Sequence, residues 1–208
     1  MLIIGLTGMI GMGKSTAAAR LKSHGVAVFD ADAMVHELYA GRAAPLIESA
    51  FPGSTRDGVV DRGALSKMLA GSKAAFKKLE AIVHPLVQDE ERLFVLEQHA
   101  QGAEVAVLEV PLLFETGLDE RVDAVIVVSA PADVQRARVL ERPGMTVAKF
   151  EEILALQVPD AEQRARAEFV VDTSQTVEAS GAQIDDIVAQ LKGRSGTAFD
   201  KHWSQPVG

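Results

Sequence analysis

The chain has 208 residues, 48% hydrophobic and 24% charged, which is the make-up of a soluble globular protein with one substantial core and room for a small inserted lobe. Its net charge of −8 speaks against a protein that coats nucleic acid, because phosphate backbones select clustered positive charge. The absence of cysteine excludes a disulfide framework, a thiolate metal site and a cysteine nucleophile, and it is compatible with a reducing cytoplasm.

Leu2 to Leu6 is a short apolar run suited to a buried strand. It lacks a basic n-region, and no apolar run approaches the ~20 residues that span a bilayer, so neither a signal peptide nor a membrane span is expected. Gly8 to Ser15 then reads G-M-I-G-M-G-K-S, which satisfies the P-loop pattern G-x-x-x-x-G-K-[ST]. Gly8 and Gly13 let the backbone turn where a Cβ would clash, so that successive N–H groups, including those of Gly11 and Met12, can face phosphate oxygens. Lys14 supplies a charge for the β and γ phosphates, and Ser15 supplies a hydroxyl for Mg²⁺. The helix-forming stretch Thr16 to Ser23 follows, and its N-terminus adds orphan N–H groups and a favourable dipole.

Further Val-rich apolar runs at Val26 to Phe29, Val105 to Leu108, Ala124 to Val128 and Phe169 to Val171 predict four more strands. They do not alternate and are separated by helical stretches, which suits a parallel sheet covered on both faces, an α/β architecture. Val28-Phe29 leads into Asp30-Ala31-Asp32 and a helix from Ala33 to Tyr39. Either aspartate can orient an attacking hydroxyl at the carboxyl edge of the sheet, and either can cap the helix. The insertion from Asp30 to Glu104 is about 75 residues, far more than a crossover needs. Turn signals at Phe51-Pro52-Gly53 and Arg56-Asp57-Gly58 precede a helical tract from Ser72 that His84-Pro85 is expected to divide. A second helical insertion, Ala132 to Arg166, is interrupted at Pro143-Gly144 and reads as a lid. Val177 to Lys192 predicts a closing helix, and Gly193 to Gly208 a frayed tail in which Phe199 and Trp203 form a patch on the core.

A P-loop fixes the ligand class and leaves the reaction open: a small-metabolite kinase or a GTPase-type switch. The guanine motif N-K-x-D and the γ-phosphate sensor D-x-x-G are both missing, which disfavours the switch. The ordered set Gly5-Leu6-Thr7-Gly8 through Ser15, Asp30-Ala31-Asp32, His84-Pro85-Leu86 and Pro111-Leu112-Leu113-Phe114-Glu115 resembles the dephospho-CoA kinase family over roughly residues 2 to 173. The resemblance implies a three-layer P-loop kinase fold with a five-stranded parallel sheet and helical insertions. The nucleotide-binding core would comprise residues 1–30, 104–131 and 167–192, the acceptor-binding lobe 31–103, the lid 132–166 and a flexible tail 193–208. It implies ATP-dependent phosphorylation of the ribose 3′-hydroxyl of dephospho-CoA, with another small-metabolite or nucleoside monophosphate kinase as the alternative. Asp32 becomes the general base, and Gly8, Gly11, Met12, Gly13, Lys14, Ser15 and Thr16 bind ATP.

Arg138 and Arg142 share a helix face ahead of Pro143 and match family arginines that contact ATP, with Arg142 placed to stabilise the transferring phosphoryl. Lys14 and Arg142 thus join Asp32 as catalytic candidates. Ser15, and Glu109 through water, are the Mg²⁺ candidates, Glu109 being otherwise a solvent-facing strand end. His84, Leu113 and Glu115 are assigned to the acceptor, His84 having capping and packing at the Pro85 break as its other reading. The substrates are small molecules; nucleic acid and membrane partners are not expected, and a cytoplasmic monomer is. Met9 and Met12 stand where the family usually has Gly and Ser, so the loop is expected to bind phosphate through its backbone N–H groups, Lys14 and Ser15, without a side-chain hydroxyl at position 12. Gln163 and Thr173 stand where the family often has Lys and Asn, which affects the adenine site. Gln157 matches a family glutamine, with no role that the sequence discloses.

Overall fold

The computed structural model describes residues 1–204. In chain order, β1 (Leu2–Thr7), α1 (Lys14–Ser23) and β2 (Ala27–Asp30) lead into α2 (Ala31–Tyr39) and α3 (Ala44–Ala50). The short strands β3 (Thr55–Arg56) and β4 (Val59–Val60) precede α4 (Arg62–Leu69) and the long α5 (Lys73–Ala100). Then come β5 (Val105–Glu109), β6 (Ala124–Ser129), α6 (Ala132–Leu140), α7 (Val147–Leu154), α8 (Asp160–Arg166), β7 (Phe169–Asp172) and α9 (Val177–Leu191). Two compact units result: residues 1–29 with the chain from Val95 onward, and Asp30–Phe94.

The first unit is built on a five-stranded parallel sheet of order β2-β5-β1-β6-β7. All five predicted strands form. Leu2 lies opposite Val105, Ile4 opposite Ala124 and Ile126 opposite Phe169. The central β1 and β6 are buried along their whole length, as continuous apolar runs require when both faces are covered. Leu21 of α1 and Ile184, Ile187 and Leu191 of α9 pack with Leu2, Ile4, Leu6 and Ile126 in one core. Outside the core, Asp185 of α9 accepts from Arg20 Nε at 2.7 Å, tying α9 to α1. Residues 132–166 form three helices, and Gly144 at the predicted interruption takes φ 74°.

The segment after α9 is ordered, contrary to the frayed tail expected from its Gly and Ser content. Asp123 accepts from the N–H of Thr197 at 2.6 Å and of Ala198 at 2.9 Å, while its other oxygen accepts from Ile3 N–H at 2.8 Å. Trp203 ends a helical turn from Phe199 with 0% exposure, and its indole N–H donates to the Arg121 carbonyl at 2.8 Å. Burying one indole and satisfying its single donor outweighs the low local propensity. Residues 205–208 of the predicted tail lie outside the described residues.

The second unit gathers Leu38, Ile47, Phe51, Leu65, Leu69 and Val83 into its own core. Asp57 and Gly58, at φ 53° and 79°, make the two-residue turn joining β3 to β4. Glu48 accepts from Gly53 N–H at 2.7 Å and from Thr55 N–H and Oγ1 at 2.9 and 2.8 Å. These donors hold its carboxyl below the ordinary value. His84-Pro85 does not divide the helical tract: α5 runs unbroken with Pro85 inside it. Ala81, whose carbonyl loses its helical donor, is exposed, as are His84 and Pro85, so water can serve that oxygen while Leu79 and Val83 keep the buried face.

Candidate active site

The P-loop leaves the buried end of β1 and passes close beneath β6. A Cβ at Gly8 would lie 2.5 Å from Val128 Cγ2 and 2.6 Å from its carbonyl oxygen, so only glycine fits there. Gly13 takes φ 87° at the N-cap of α1, a left-handed conformation that glycine adopts freely. Met12 N–H donates to the Met9 carbonyl at 3.1 Å and closes the loop. Among the described residues, the N–H groups of Gly11, Gly13, Lys14 and Ser15 donate to no protein acceptor. These are the groups that a helix N-terminus leaves for an anion, and Ser15 and Thr16 are exposed beside them.

Met12 contributes to the loop differently from the expectation that only the backbone matters. Its side chain is 2% exposed in the main core, and its sulfur accepts from Ala130 N–H at 3.1 Å. The N–H of Met12 is used within the loop, so the residue braces the loop through both its backbone and its side chain. Thr173 reinforces the anchor: its hydroxyl lies 2.8 Å from the Met12 carbonyl and 3.2 Å from that of Ser129.

Lys14 Nζ lies 2.8 Å from Glu109 Oε1. Glu109 is 2% exposed, so it is a buried counter-ion at the end of β5, not the solvent-facing strand end that was its alternative reading. The ammonium is thereby held beside the loop N–H groups that begin α1. Among the described residues, no group of three or more His, Cys, Asp or Glu could hold a metal ion.

Side chains from residues 132–166 reach the phosphate loop. Gln135 and Gln157 hold the carbonyl and N–H of Ile10 at 2.8 and 3.0 Å. Arg138 donates to the Thr173 carbonyl at 2.6 Å and to its hydroxyl at 3.2 Å, so this predicted ATP ligand is presently tied to the end of β7. Arg142 is exposed and lies beyond α6, which ends at Leu140 with Glu141 as its C-cap, so it does not share a helix face with Arg138 as the sequence predicted. Gln135 was missed from the sequence, although a signal existed: it is a polar residue one turn before the buried Val139, on the face that packs inward. Gln163 is 1% exposed and donates to the Val158 carbonyl at 2.8 Å, a contact within residues 132–166.

The Pro111–Glu115 segment behaves as packing and bracing. Leu113 is fully buried, with its Cδ1 over Gly5, which leaves no side-chain surface for the acceptor ligand assigned to it. Glu115 accepts from Val158 N–H at 2.6 Å.

In the second unit, the two aspartates differ in their contacts. Asp30 is the N-cap of α2, its Oδ1 accepting from Ala33 N–H at 2.9 Å. The helix starts two residues earlier than expected and takes Asp32 into its first turn, where it is exposed and, among the described residues, makes no hydrogen bond. His84 is exposed midway along α5.

The sequence model of the family described as dephospho-CoA kinase matches residues 2–179. A dephospho-CoA kinase of Brucella melitensis is 54% identical over 198 residues, covering 95% of this chain and 99% of its own. That of Mesorhizobium japonicum is 53% identical over 197 residues, covering 95% and 100%. Among solved structures, TT1252 from Thermus thermophilus is 34% identical with a TM-score of 0.77, covering 92% of this chain and 98% of its own. A family model matched over residues 2–179, with relatives 54% and 53% identical over nearly the whole chain, leads to one conclusion: the chain belongs to the dephospho-CoA kinase family.

Proposed function

We propose that this protein transfers the γ-phosphoryl group of ATP to the ribose 3′-hydroxyl of dephospho-CoA, yielding coenzyme A and ADP. The observation that carries the catalytic reading is the division of labour between the aspartates: Asp30 is engaged as a helix cap, and Asp32 keeps its carboxylate available. Asp32 accepts the proton of the acceptor hydroxyl as the oxygen attacks phosphorus. The N–H groups at the start of α1 and the Lys14 ammonium bind the β and γ phosphates and stabilise the charge that develops on them. Arg142, and Arg138 once it leaves Thr173, add guanidinium donors to the same phosphates. Ser15 would hold Mg²⁺, with Glu109 reaching it through water, and the ion would supply charge neutralisation to the phosphates.

His84 is proposed to contact the acceptor from its exposed position on α5. Residues 31–103 are taken as the acceptor lobe and 132–166 as the lid. No helix among the described residues is long and apolar enough to cross a membrane, and we place the enzyme in the cytoplasm as a monomer. Mass spectrometry of a reaction with Mg²⁺, ATP and dephospho-CoA tests the activity. It should gain one phosphoryl group, and ³¹P NMR should show that group as a ribose 3′-monoester. A new ester at any other hydroxyl contradicts the proposal.

A further inference from the structure

Ile10 lies midway through the phosphate loop, and both of its backbone polar groups are held by glutamines from far along the chain. Its N–H donates to Gln157 Oε1 at 3.0 Å, and its carbonyl accepts from Gln135 Nε2 at 2.8 Å. Gln135 is 4% exposed, so its amide is fixed by packing. Gln157 lies just beyond α7, and its N–H donates to the Leu154 carbonyl at 3.1 Å. The next residue, Val158, is gripped in the same manner: its N–H donates to Glu115 Oε1 at 2.6 Å, and its carbonyl accepts from Gln163 Nε2 at 2.8 Å. Glu115 closes the segment that begins just after Glu109, the partner of Lys14. Four side chains therefore join the phosphate loop, the end of the lid and the segment following β5.

We infer that Gln157 is a positioning residue for phosphate binding, and that Glu115 acts through it by fixing Val158. The hydrogen bond to Gln157 holds the Ile10 peptide outward, and the N–H groups of Gly11, Gly13, Lys14 and Ser15 stay together for the phosphates. The polarity is specific. Gln157 must accept, because its partner is an N–H, whereas Gln135 must donate, because its partner is a carbonyl. This role rests on the reading of the loop as the ATP site, and it gives Glu115 a function other than contact with the acceptor.

The test uses the full chain with Gln157→Met, which removes the acceptor, and Gln157→Glu, which keeps it. Hydrogen exchange of the Ile10 amide is followed by NMR, and ATP and adenosine affinities are measured by titration. In Gln157→Met the Ile10 amide should exchange at least about tenfold faster, and ATP affinity should fall about tenfold, as expected for one lost buried hydrogen bond. Adenosine affinity should be unchanged, because it carries no phosphate. In Gln157→Glu the amide should stay protected. Glu115→Leu should weaken ATP binding in the same direction, and Glu115→Gln should restore it. Wild-type ATP affinity in Gln157→Met, or equal losses for ATP and adenosine, would overturn the inference. If Gln157→Met does not fold, an unprotected Ile10 amide in Gln157→Glu overturns it instead. None of these readouts needs the acceptor, so failure to form coenzyme A would strike the proposed activity alone.

Discussion

Lys14, the first residue of α1, and Glu109, the last of β5, form an ion pair of 2.8 Å in which 13% of the lysine and 3% of the glutamate side chain are exposed. Each charge depends on the other, because removing one partner strands the second in a poorly solvated place. Lys14→Ala should lower stability by about 3 kcal/mol without nucleotide, by the usual cost of breaking a buried pair. Adding Glu109→Gln should return most of that loss, a non-additivity that urea denaturation measures directly. Turnover should not return with it. The lysine charge acts on the transferring phosphoryl, and kcat should stay lower by orders of magnitude in both variants.

The aspartates at the start of α2 give opposite expectations for stability and rate. Asp32→Asn should lose orders of magnitude in kcat while the KM for ATP stays near its original value, because only the proton acceptor is gone. Asp30→Asn should retain both stability and turnover, since asparagine caps a helix as well as aspartate does. Asp30→Ala should cost about 1 kcal/mol through the lost bond to Ala33. Steady-state kinetics alongside thermal melts separates these outcomes. Near-normal turnover in Asp32→Asn together with a dead Asp30→Asn would reverse the assignment.

Glu48 supplies a pH-dependent contribution within the second unit. Its carboxyl is held below its ordinary value by Gly53 N–H and by the Thr55 hydroxyl and N–H. A depressed folded-state pKa stabilises above the unfolded value of about 4.3 and is lost as pH falls through the folded value. Glu48→Gln should therefore lower Tm at pH 7, and the gap to the unaltered protein should close below about pH 4. Melting curves from pH 3 to 7 check this. A gap that widened on acidification would contradict it.

The ordered C-terminal segment predicts a stability effect without a catalytic one. Trp203 is fully buried, its indole N–H is satisfied by Arg121, and the Arg121 guanidinium lies 4.4 Å from the ring centroid. Trp203→Ala should destabilise by about 3–5 kcal/mol, the range for emptying an aromatic site. The KM values at a temperature where the variant is folded should be unchanged. Denaturant titration and kinetics on the same preparation give both numbers.

What the sequence discloses here is what local chemistry encodes. The five strands are legible because both-face burial writes itself as unbroken apolar runs, and the P-loop because Gly8, Gly13, Lys14 and Ser15 each have a local job. Pro85 misleads because its cost falls on a solvent-facing turn of a helix that the buried Leu79 and Val83 hold in place. The tail misleads for the converse reason: its order comes from Asp123 and Arg121, more than 70 residues earlier in the chain. Glu109 can be placed at a strand end from sequence, but its burial and its lysine partner appear only when the sheet sets β5 beside β1. Gln157 and Thr173 serve backbone groups of a loop 147 and 161 residues away, and a backbone group leaves no trace in the partner's side chain.

Acceptor choice tests the central claim most directly. ADP release should be measured with Mg²⁺ and ATP in the presence of dephospho-CoA, AMP, shikimate or gluconate as separate acceptors. Dephospho-CoA alone should drive release, with one ADP formed for each coenzyme A. Turnover with one of the other acceptors and none with dephospho-CoA would contradict the account.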